Sequence, residues 1–436
     1  MNIVTPRKLK LEFIKAPGIA VQGVDASIRA TVEGVLAEVS RDGDDSLRRL
    51  TKTFDGVDVE KFEVGGAERK QAVEHLDRQT RADTEFAVEQ VRAFARAQLA
   101  TMMPLETELL RGVHLGHRII PIKKIGAYVP GGRFPLLSAP IMSLVPAKVA
   151  GCDEVIACLP PNAHRAMIAG CHLSGADRIF RVGGAQAIAA MAYGTDTIPA
   201  VDKIVGPGNA YVNEAKRQVF GSVGIDQLAG PSEIFTVADH TADPRLIAID
   251  LLAQAEHDIH TRVGLITTDR AVAEGTLAAI GEELTRLKTA AIAGRSWADR
   301  GEIVLCESEE DLIAYSDQVA AEHLQVHTAD PHALAKKLRN YGSLFIGELA
   351  SVVYSDKCCG TNHTLPTMGA ARYTGGLWVG SYVKICTHQW LEPEGVAKVA
   401  PPAVRQSATE GMDGHRQAAE RRLTMVQRST NLKERG

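Results

Sequence analysis

Apolar residues recur every three or four positions in two segments near the start of the chain. The first segment carries Ile28, Val32, Val35, Leu36 and Val39, and the second carries Ala87, Val91, Phe94, Ala95 and Met102. This spacing places the apolar side chains on one face of a helix. We therefore predict two amphipathic helices, which follow an N-terminal arm over residues 1–24.

The pattern changes at about residue 119, where short β-rich runs begin to alternate with helical stretches. These runs cover residues 119–129, 155–159, 179–182, 204–205, 234–237, 263–267, 303–306, 324–326 and 344–346. Such alternation is typical of βαβ units, in which right-handed crossovers build a parallel sheet. We predict an α/β fold with two Rossmann-like parallel-sheet domains and small helical segments at both ends of the chain.

The composition narrows the classes of protein to which the chain can belong. Of its 436 residues 45% are hydrophobic, which excludes a disordered protein, and a net charge of −4 gives no overall attraction to nucleic acid. The seven cysteines form no CxxC pair, and no run of about 18 apolar residues occurs. We therefore expect a cytoplasmic protein that binds small molecules and neither nucleic acid nor membrane.

Three glycine-rich turns stand where a predicted strand passes into a helix. They are Pro130-Gly131-Gly132, Gly183-Gly184 and Gly206-Pro207-Gly208-Asn209. Glycine lets a ligand approach the backbone, and the N-terminus of the following helix favours an anionic group such as a pyrophosphate. None of the three completes a GxGxxG motif, so each alone is equally compatible with an ordinary turn. Together they indicate a nucleotide-binding crevice.

Gln254 and His257 are candidate metal ligands because they lie three positions apart on the helix predicted after Pro244. That spacing points both side chains from one helix face. The alternative is a structural histidine that binds no metal. Further ligands would have to come from elsewhere in the chain, and the polar run 356–363 together with His415 offers candidates.

Glu322 and His323 are adjacent at a point where a predicted helix passes into a strand. An imidazole titrates near neutral pH and suits the abstraction of a proton from an alcohol. A neighbouring carboxylate can activate a water molecule. From the pattern alone, a catalytic pair and an ordinary polar pair at a helix–strand junction are both open.

Seven motifs, in this order along the chain, resemble those of the histidinol dehydrogenase family. They are IGAYVPGG (125–132), VGGAQAIAAMAYGT (182–195), KIVGPGNAYVNEAKRQV (203–219), LAGPSEI (228–234), LLAQAEHD (251–258), AAEHLQV (320–326) and GTNHTLPT (360–367). The resemblance spans about residues 25–415. It implies a zinc-containing, NAD-dependent enzyme that oxidises a primary alcohol through an aldehyde to a carboxylate, with two NAD and one water.

The resemblance also implies roles for individual residues. It places zinc ligands, for one Zn²⁺ per subunit, at Gln254, His257, Asp356 and His415. It places NAD contacts at Tyr128, Gln186 and Asn209, one beside each glycine-rich turn. Substrate contacts fall on Ser232, His323, His363 and Glu410. Glu322 and His323 fall on the general-base positions, His323 for the alcohol and Glu322 for the water that hydrates the aldehyde.

The strand pattern and the resemblance together predict how the chain is divided. Residues 25–127 and 233–376 form the Rossmann-like domain with the zinc and catalytic residues, and residues 128–232 form the second, NAD-binding domain. Residues 377–436 form a C-terminal helical dimerisation segment. The resemblance implies a homodimer with shared active sites.

The substrate is suggested by the stretch after GTNHTLPT, which differs from that of the biosynthetic histidinol enzymes. It is AARYTGGLWVG (370–380) and, with Lys357 directly after Asp356, it resembles a paralogous branch that oxidises 2,3-dihydroxypropane-1-sulfonate (sulfopropanediol) to sulfolactate. Lys357 would place positive charge near a sulfonate, whereas Glu410 would repel one and suits the ammonium of histidinol.

We expect sulfopropanediol as the substrate, with L-histidinol as the alternative. A further alternative is a metal- and nucleotide-binding regulatory subunit without turnover. The intact Glu322 and His323 pair and the four intact ligand positions argue against it.

Overall fold

The computed structural model describes residues 9–18, 26–131 and 135–433. Gly132 and much of the predicted N-terminal arm lie outside these residues. The chain divides into two compact units, unit 1 over residues 1–97 and 122–382 and unit 2 over residues 98–121 and 383–436. No helix in the described part of the chain combines the length and apolarity needed to cross a bilayer.

The elements are numbered in chain order. The helices are α1 (Ala26–Asp55), α2 (Gly66–Glu74), α3 (Arg78–Ala100), α4 (Ser138–Ala150), α5 (Arg165–Leu173), α6 (Gly184–Tyr193), α7 (Ala210–Val219), α8 (Pro244–Ala255), α9 (Arg270–Leu284), α10 (Ala290–Arg300), α11 (Glu309–Val319), α12 (Pro331–Ala335), α13 (Val352–Lys357), α14 (Pro393–Thr409) and α15 (Asp413–Lys433). The strands are β1 (Leu11–Lys15), β2 (Leu105–Leu110), β3 (Val113–Pro121), β4 (Lys124–Tyr128), β5 (Glu154–Leu159), β6 (Arg178–Arg181), β7 (Lys203–Val205), β8 (Gly224–Ile225), β9 (Glu233–Ala238), β10 (Arg262–Thr267), β11 (Glu302–Cys306), β12 (His323–His327), β13 (Ser343–Ile346) and β14 (Val383–Leu391).

The first sheet of unit 1 has the strand order β6-β5-β4-β7-β8, with every pairing parallel. Numbered from β4, this is the order 3-2-1-4-5 of a Rossmann-like sheet. The direction of winding reverses between β4 and β7, and ligands bind at the carboxyl ends of the strands beside such a reversal. Two of the three glycine-rich turns follow these two strands.

Helix α1 packs on the helices of this first sheet. Its buried residues Val32, Val35 and Leu36 share an apolar core with Ile188 of α6 and Val212 of α7, as the helical periodicity predicts for one face. The sequence prediction grouped residues 25–127 with the second sheet, whereas α1 and α2 contact α5, α6 and α7. Periodicity identifies an apolar face but does not specify which sheet will cover it.

The second sheet of unit 1 has the order β1-β11-β10-β9-β12-β13. Numbered from β9, its parallel strands repeat the order 3-2-1-4-5 of the first sheet. Apolar clusters cover both of its faces, which is the usual condition of a parallel sheet. Strand β1, which the sequence analysis missed, adds an antiparallel edge next to β11. The predicted α/β fold with two Rossmann-like parallel sheets is confirmed.

Unit 2 contains an antiparallel sheet of order β14-β3-β2 together with the contacting helices α14 and α15. The sequence pattern predicts only helix for the C-terminal segment and gives no indication of β14. It also predicted a single run over residues 119–129, where β3 ends at Pro121 and β4 begins at Lys124 in a different sheet. Most of β14 is exposed or half-buried, so its sequence lacks the apolar alternation that identifies a strand.

Candidate active site

Glu322 and His323 lie side by side where the chain leaves α11 and enters β12. Both are buried, with 5% and 2% of their surface exposed. The backbone of one residue, Glu233 at the start of the neighbouring strand β9, holds both side chains. Its N–H donates to Oε2 of Glu322 at 2.8 Å, and its carbonyl oxygen accepts from Nδ1 of His323 at 2.8 Å. The position of each catalytic candidate is thus fixed by the adjacent strand.

This contact determines which nitrogen of His323 can act as a base. A carbonyl oxygen only accepts hydrogen bonds, so Nδ1 carries the proton and Nε2 keeps its lone pair. Nε2 has no hydrogen-bond partner among the described residues. Burial lowers the pKa of His323, and the nearby Asp356 opposes this effect without reversing it. The ring is therefore a neutral imidazole with Nε2 available to accept a proton.

Glu322 has the opposite tendency. Burial raises its pKa well above the ordinary value, and the nearby carboxylates of Glu233 and Asp356 raise it further. The hydrogen bonds from the Glu233 N–H and from Ser232 act in the other direction and are outweighed. Positive charge brought near the carboxyl group would favour its ionised form, which is the form that can take a proton from water.

Gln254, His257 and Asp356 come together from two elements. Gln254 lies at the end of α8, and His257 follows that helix in a tight turn in which its N–H donates to the Gln254 carbonyl oxygen at 3.1 Å. Asp356 is buried in α13, and its Oδ1 lies 3.3 Å from Nδ1 of His363. The helix predicted after Pro244 is confirmed, although His257 stands just beyond its end.

The charges of these groups suit a metal. Burial alone would raise the pKa of Asp356, but the hydrogen bond from His363 and the nearby imidazoles outweigh it and lower the pKa. His257 is exposed to solvent. Desolvation of its imidazole by the surrounding protein nevertheless lowers the pKa of His257, and the charge of Asp356 offsets only part of this effect. An ionised carboxylate, a neutral imidazole and an amide oxygen are therefore present together.

A cavity of about 140 Å³ joins the catalytic pair to these side chains. Its walls include seven of the residues identified from the sequence: Ser232, Gln254, His257, Glu322, His323, Asp356 and His363. Pro130 and Pro207, from two of the glycine-rich turns, also line it, as does Lys357. The cavity thus lies between the carboxyl edge of the first sheet and the amino edge of the second. Ligands of Rossmann-like sheets usually bind at carboxyl edges, so the second sheet contributes its less usual edge.

Tyr128, Gln186 and Asn209 lie on the carboxyl edge of the first sheet. Tyr128 ends β4, and its hydroxyl oxygen accepts from the N–H of Gly184 at 3.2 Å. Gln186 lies in the first turn of α6 and is 2% exposed. Asn209 is the N-cap of α7, where its Oδ1 accepts two backbone N–H groups. These positions fit the predicted NAD contacts, which remain predictions for the individual residues.

A buried ion pair fixes the turn that precedes Asn209. Nζ of Lys216 lies 2.5 Å from Oδ1 of Asp226 and donates to the carbonyl oxygen of Gly206 at 2.9 Å. Oδ2 of Asp226 accepts from the N–H of Gly206 at 2.7 Å. Gly206 has a φ of 110°, and a Cβ there would stand 2.2 Å from the carbonyl oxygen of Tyr128, so the position requires glycine. Both backbone polar groups of Gly206 are thus held by buried side chains.

Comparison with known proteins identifies the family. A family profile described as histidinol dehydrogenase matches residues 21–423. Histidinol dehydrogenase homolog 1 of Mesorhizobium japonicum is 47% identical over 92% of this chain and 81% of that protein. Sulfopropanediol 3-dehydrogenase of Ruegeria pomeroyi is 40% identical over 95% of this chain and 97% of its own length. The crystal structure of histidinol dehydrogenase from Elizabethkingia anophelis matches with a TM-score of 0.89 and 34% identity, covering 94% of each chain. The chain belongs to the histidinol dehydrogenase family.

Histidinol dehydrogenases are NAD-dependent oxidoreductases that act on CH–OH donors and contain zinc. The prediction made from the seven motifs, an NAD-dependent enzyme of this family, is therefore confirmed. The alternative of a regulatory subunit without turnover receives no support from these relatives.

The donor set of unit 1 fits part of a zinc site. A carboxylate and an imidazole are ligands that Zn²⁺ prefers, and the amide of Gln254 adds an oxygen donor. Within the described residues no three His, Cys, Asp or Glu side chains are arranged to hold a metal by themselves. Among the predicted zinc ligands that are His or Asp, unit 1 contributes only His257 and Asp356. The remaining one, His415, lies on α15 of unit 2, where it is exposed, as is Glu410 after α14.

Sequence reasoning missed two groups beside the predicted NAD contacts, namely Asp55 and the pair formed by Lys216 and Asp226. Lys216 could have been identified from the sequence, because it lies four positions after Val212 and three before Val219 on the apolar face of α7. A lysine on a buried face needs a buried partner. Asp55 left no comparable signal, since it follows three exposed residues at the end of α1.

Proposed function

We propose that this enzyme oxidises a primary alcohol through an aldehyde to a carboxylate in the cavity between the two sheets, with two NAD and one water. The observation that carries the proposal is the shared cavity itself. Within it, the available Nε2 of His323 and the carboxyl group of Glu322 face the same space as three candidate zinc ligands and two glycine-rich turns.

The residues of this chain would divide the chemistry between them. When bound, zinc would orient the polar groups of the substrate and NAD would accept hydride. Nε2 of His323 takes the proton of the hydroxyl group, while the Glu233 carbonyl oxygen keeps the ring in the required tautomer. Glu322 takes a proton from the water that hydrates the aldehyde. The burial of both side chains limits the access of bulk water to the intermediate.

We propose sulfopropanediol as the substrate, with L-histidinol as the second candidate. Lys357 supports this choice, because it lines the cavity and would attract a sulfonate. The 40% identity to a sulfopropanediol 3-dehydrogenase supports it as well. Arg372, also in the segment after GTNHTLPT, donates to the carbonyl oxygens of Gly369 and Gln318 and does not distinguish the two. Glu410 favours histidinol, whose ammonium a carboxylate would attract.

A stoichiometric assay tests the substrate. The purified enzyme, supplied with zinc and excess NAD, is offered sulfopropanediol or L-histidinol, and NADH absorbance is followed to completion. We expect two NADH per molecule of sulfopropanediol and none from histidinol. Two NADH from histidinol alone would make histidinol the substrate, and no NADH from either would remove the support for both.

Lys357→Gln is expected to lower kcat/KM for sulfopropanediol by about tenfold or more, because glutamine lacks the positive charge that would pair with the sulfonate. The matched control is Lys336→Gln, which changes an exposed lysine just after α12 and outside the cavity. Steady-state kinetics with each alcohol provide the measurement. The same loss with an uncharged primary alcohol would show that Lys357 does not recognise the sulfonate.

We further propose a homodimer in which Glu410 and His415 of one subunit complete the cavity of the other. Both residues are exposed in unit 2, which is consistent with a role outside their own subunit. The resemblance to the family implies the same arrangement. In this dimer each active site would combine unit 1 of one chain with unit 2 of its partner.

Mixed dimers test this arrangement. Subunits carrying His323→Asn and subunits carrying His415→Ala are co-expressed with different tags, and the mixed dimer is purified. One of its sites carries both changes and the other carries none, so we expect about half of the wild-type activity. Each variant alone should be inactive. If His415 serves its own subunit, both sites of the mixed dimer are damaged and no activity returns.

We propose that the enzyme acts in the cytoplasm. The seven cysteines are all unpaired, and Cys359 is exposed. Free thiols of this kind are typical of reducing compartments.

A further inference from the structure

Asp55, the last residue of α1, brings a carboxylate to the carboxyl edge of the first sheet. Its Oδ2 accepts from Nε2 of Gln186 at 3.4 Å, and this long contact is the one hydrogen bond that its carboxylate makes among the described residues. Burial raises the pKa of Asp55, and none of the described residues contributes a positive charge that opposes that effect. Asp55 therefore keeps most of its hydrogen-bonding capacity free.

Asp55 also lies close to Tyr128, the predicted NAD contact at the end of β4. Burial raises the pKa of the Tyr128 hydroxyl to about 12, and the charge of Asp55 adds to this rise. The same hydroxyl accepts from the N–H of Gly184, next to Gln186 in sequence. A half-buried carboxylate thus stands beside two of the three predicted NAD contacts.

The strand order indicates which part of the dinucleotide would meet Asp55. The turns after β4 and β7 contribute Pro130 and Pro207 to the catalytic cavity, where the nicotinamide must react. The turn after β6 contributes nothing to that cavity, and β6 lies on the outer edge of the sheet, two strands from β4. Asp55 contacts Gln186 of this outer turn. A dinucleotide that reaches the cavity at β4 and β7 would therefore bring its adenosine half to β6.

We propose that Asp55 binds the adenosine ribose of NAD through its 2′- and 3′-hydroxyl groups and thereby selects NAD over NADP. A carboxylate accepts two hydrogen bonds from a vicinal diol, and it repels the 2′-phosphate that distinguishes NADP. The inference rests on the NAD dependence of the enzyme and adds a residue and a selectivity to it.

Within the described part of the chain, no basic side chain is paired with Asp55. The lysine nearest in sequence, Lys52, is one helical turn earlier, and its Nζ lies 3.1 Å from Oδ1 of Asp58 on the exposed surface. Sites that accept NADP instead place an arginine near the ribose. The charge at this edge therefore favours the nucleotide without the additional phosphate.

Direct binding tests the proposal independently of catalysis. The dissociation constants of NAD and NADP are measured by calorimetry with the wild type and with Asp55→Asn. We expect the variant to bind NAD about tenfold more weakly and to bind NADP at least as tightly as the wild type does. An equal loss for both nucleotides, or an unchanged preference, would overturn the proposal.

The adenosine half can be tested alone. AMP and adenosine 2′,5′-bisphosphate lack the nicotinamide, so the same change in preference is expected when they compete with NAD for the protein. A change confined to complete dinucleotides would overturn the assignment to the adenosine ribose.

Two further variants control the experiment. Asp58→Asn makes the same substitution three residues later in an exposed ion pair and should leave both constants unchanged. Asp55→Glu retains the charge and should keep the NAD preference even if NAD binds more weakly, which separates charge from folding. If the wild type binds NAD but Asp55→Asn leaves the preference for NAD over NADP unaltered, the role of Asp55 is rejected and the NAD dependence of the enzyme stands. If the wild type binds neither nucleotide, the NAD dependence on which the inference rests fails instead.

Discussion

His323→Asn is expected to slow the oxidation of the alcohol by about 10²- to 10⁴-fold, the contribution typical of a positioned general base. Asparagine can still donate to the carbonyl oxygen of Glu233, as Nδ1 of His323 does at 2.8 Å. It has no basic atom where Nε2 stands. The change therefore removes proton acceptance while retaining the contact that orders the side chain.

Glu322→Gln is expected to have a different effect. Glutamine can still accept the N–H of Glu233, which lies 2.8 Å from Oε2, but it cannot take a proton from water. We expect the first hydride transfer to be largely retained and the oxidation of the aldehyde to fall by about 10²-fold or more. Single-turnover measurements of NADH formation, started from the alcohol or from the aldehyde, separate the two steps. Equal losses in both half-reactions for both variants would contradict this division of roles.

His327→Asn is the matched control for the histidine substitution. His327 lies on the same strand, four residues after His323, and is also fully buried, but it does not line the cavity. We expect this variant to retain both half-reactions once its folding has been verified by circular dichroism. A comparable loss of activity would indicate that burial on β12, rather than proton transfer, explains the effect at His323.

Lys216→Met is expected to lower the free energy of unfolding by about 3–5 kcal/mol, because it leaves the Asp226 carboxylate buried without its counter-ion. The side chains of this pair are 0% and 2% exposed. The matched control is Lys148→Met, which removes a pair with Asp177 whose side chains are 35% and 38% exposed. That change should cost about 1 kcal/mol or less. Urea denaturation of the two variants provides the comparison.

The double variant Lys216→Met with Asp226→Leu separates stability from NAD binding. Replacement of a buried ion pair by apolar residues of similar volume is often neutral, so much of the lost stability should return. The N–H and carbonyl groups of Gly206 nevertheless lose both partners. We expect the double variant to bind NAD more weakly than the wild type. Restored stability together with wild-type affinity would show that the ion pair does not position the turn.

Several features of the site could be predicted because they depend on short stretches of sequence. The cap of α8 by Asp243, followed by Pro244, needs only adjacent residues. The position of Glu322 and His323 at a helix–strand junction follows from two neighbouring periodicities. Seven of the side chains that the resemblance names line one cavity, whereas Glu410 and His415 lie in unit 2.

Other features depend on contacts between distant segments and left little trace in the sequence. The pairing of β14 with β3 joins residues 383–391 to residues 113–121, and neither strand alternates clearly between apolar and polar positions. The packing of α1 on the first sheet could not be predicted, because both sheets offer an apolar surface that its apolar face could cover. Asp55 can be recognised as a candidate NAD-binding residue only in the structure, where α1 ends beside Gln186, more than a hundred residues further along the chain.

The two sheets of unit 1 have the same winding order but offer opposite edges to the cavity. In the proposed assignment, cofactor recognition and substrate chemistry are therefore encoded in separate parts of the sequence. We expect substitutions around Lys357 and Ser232 to alter which alcohol is accepted without disturbing Gly206 and the turn that contains it. A chimera that joins residues 26–55 and 124–225 of one relative to the remainder of another should inherit its nucleotide preference from the inserted segments and its alcohol from the host.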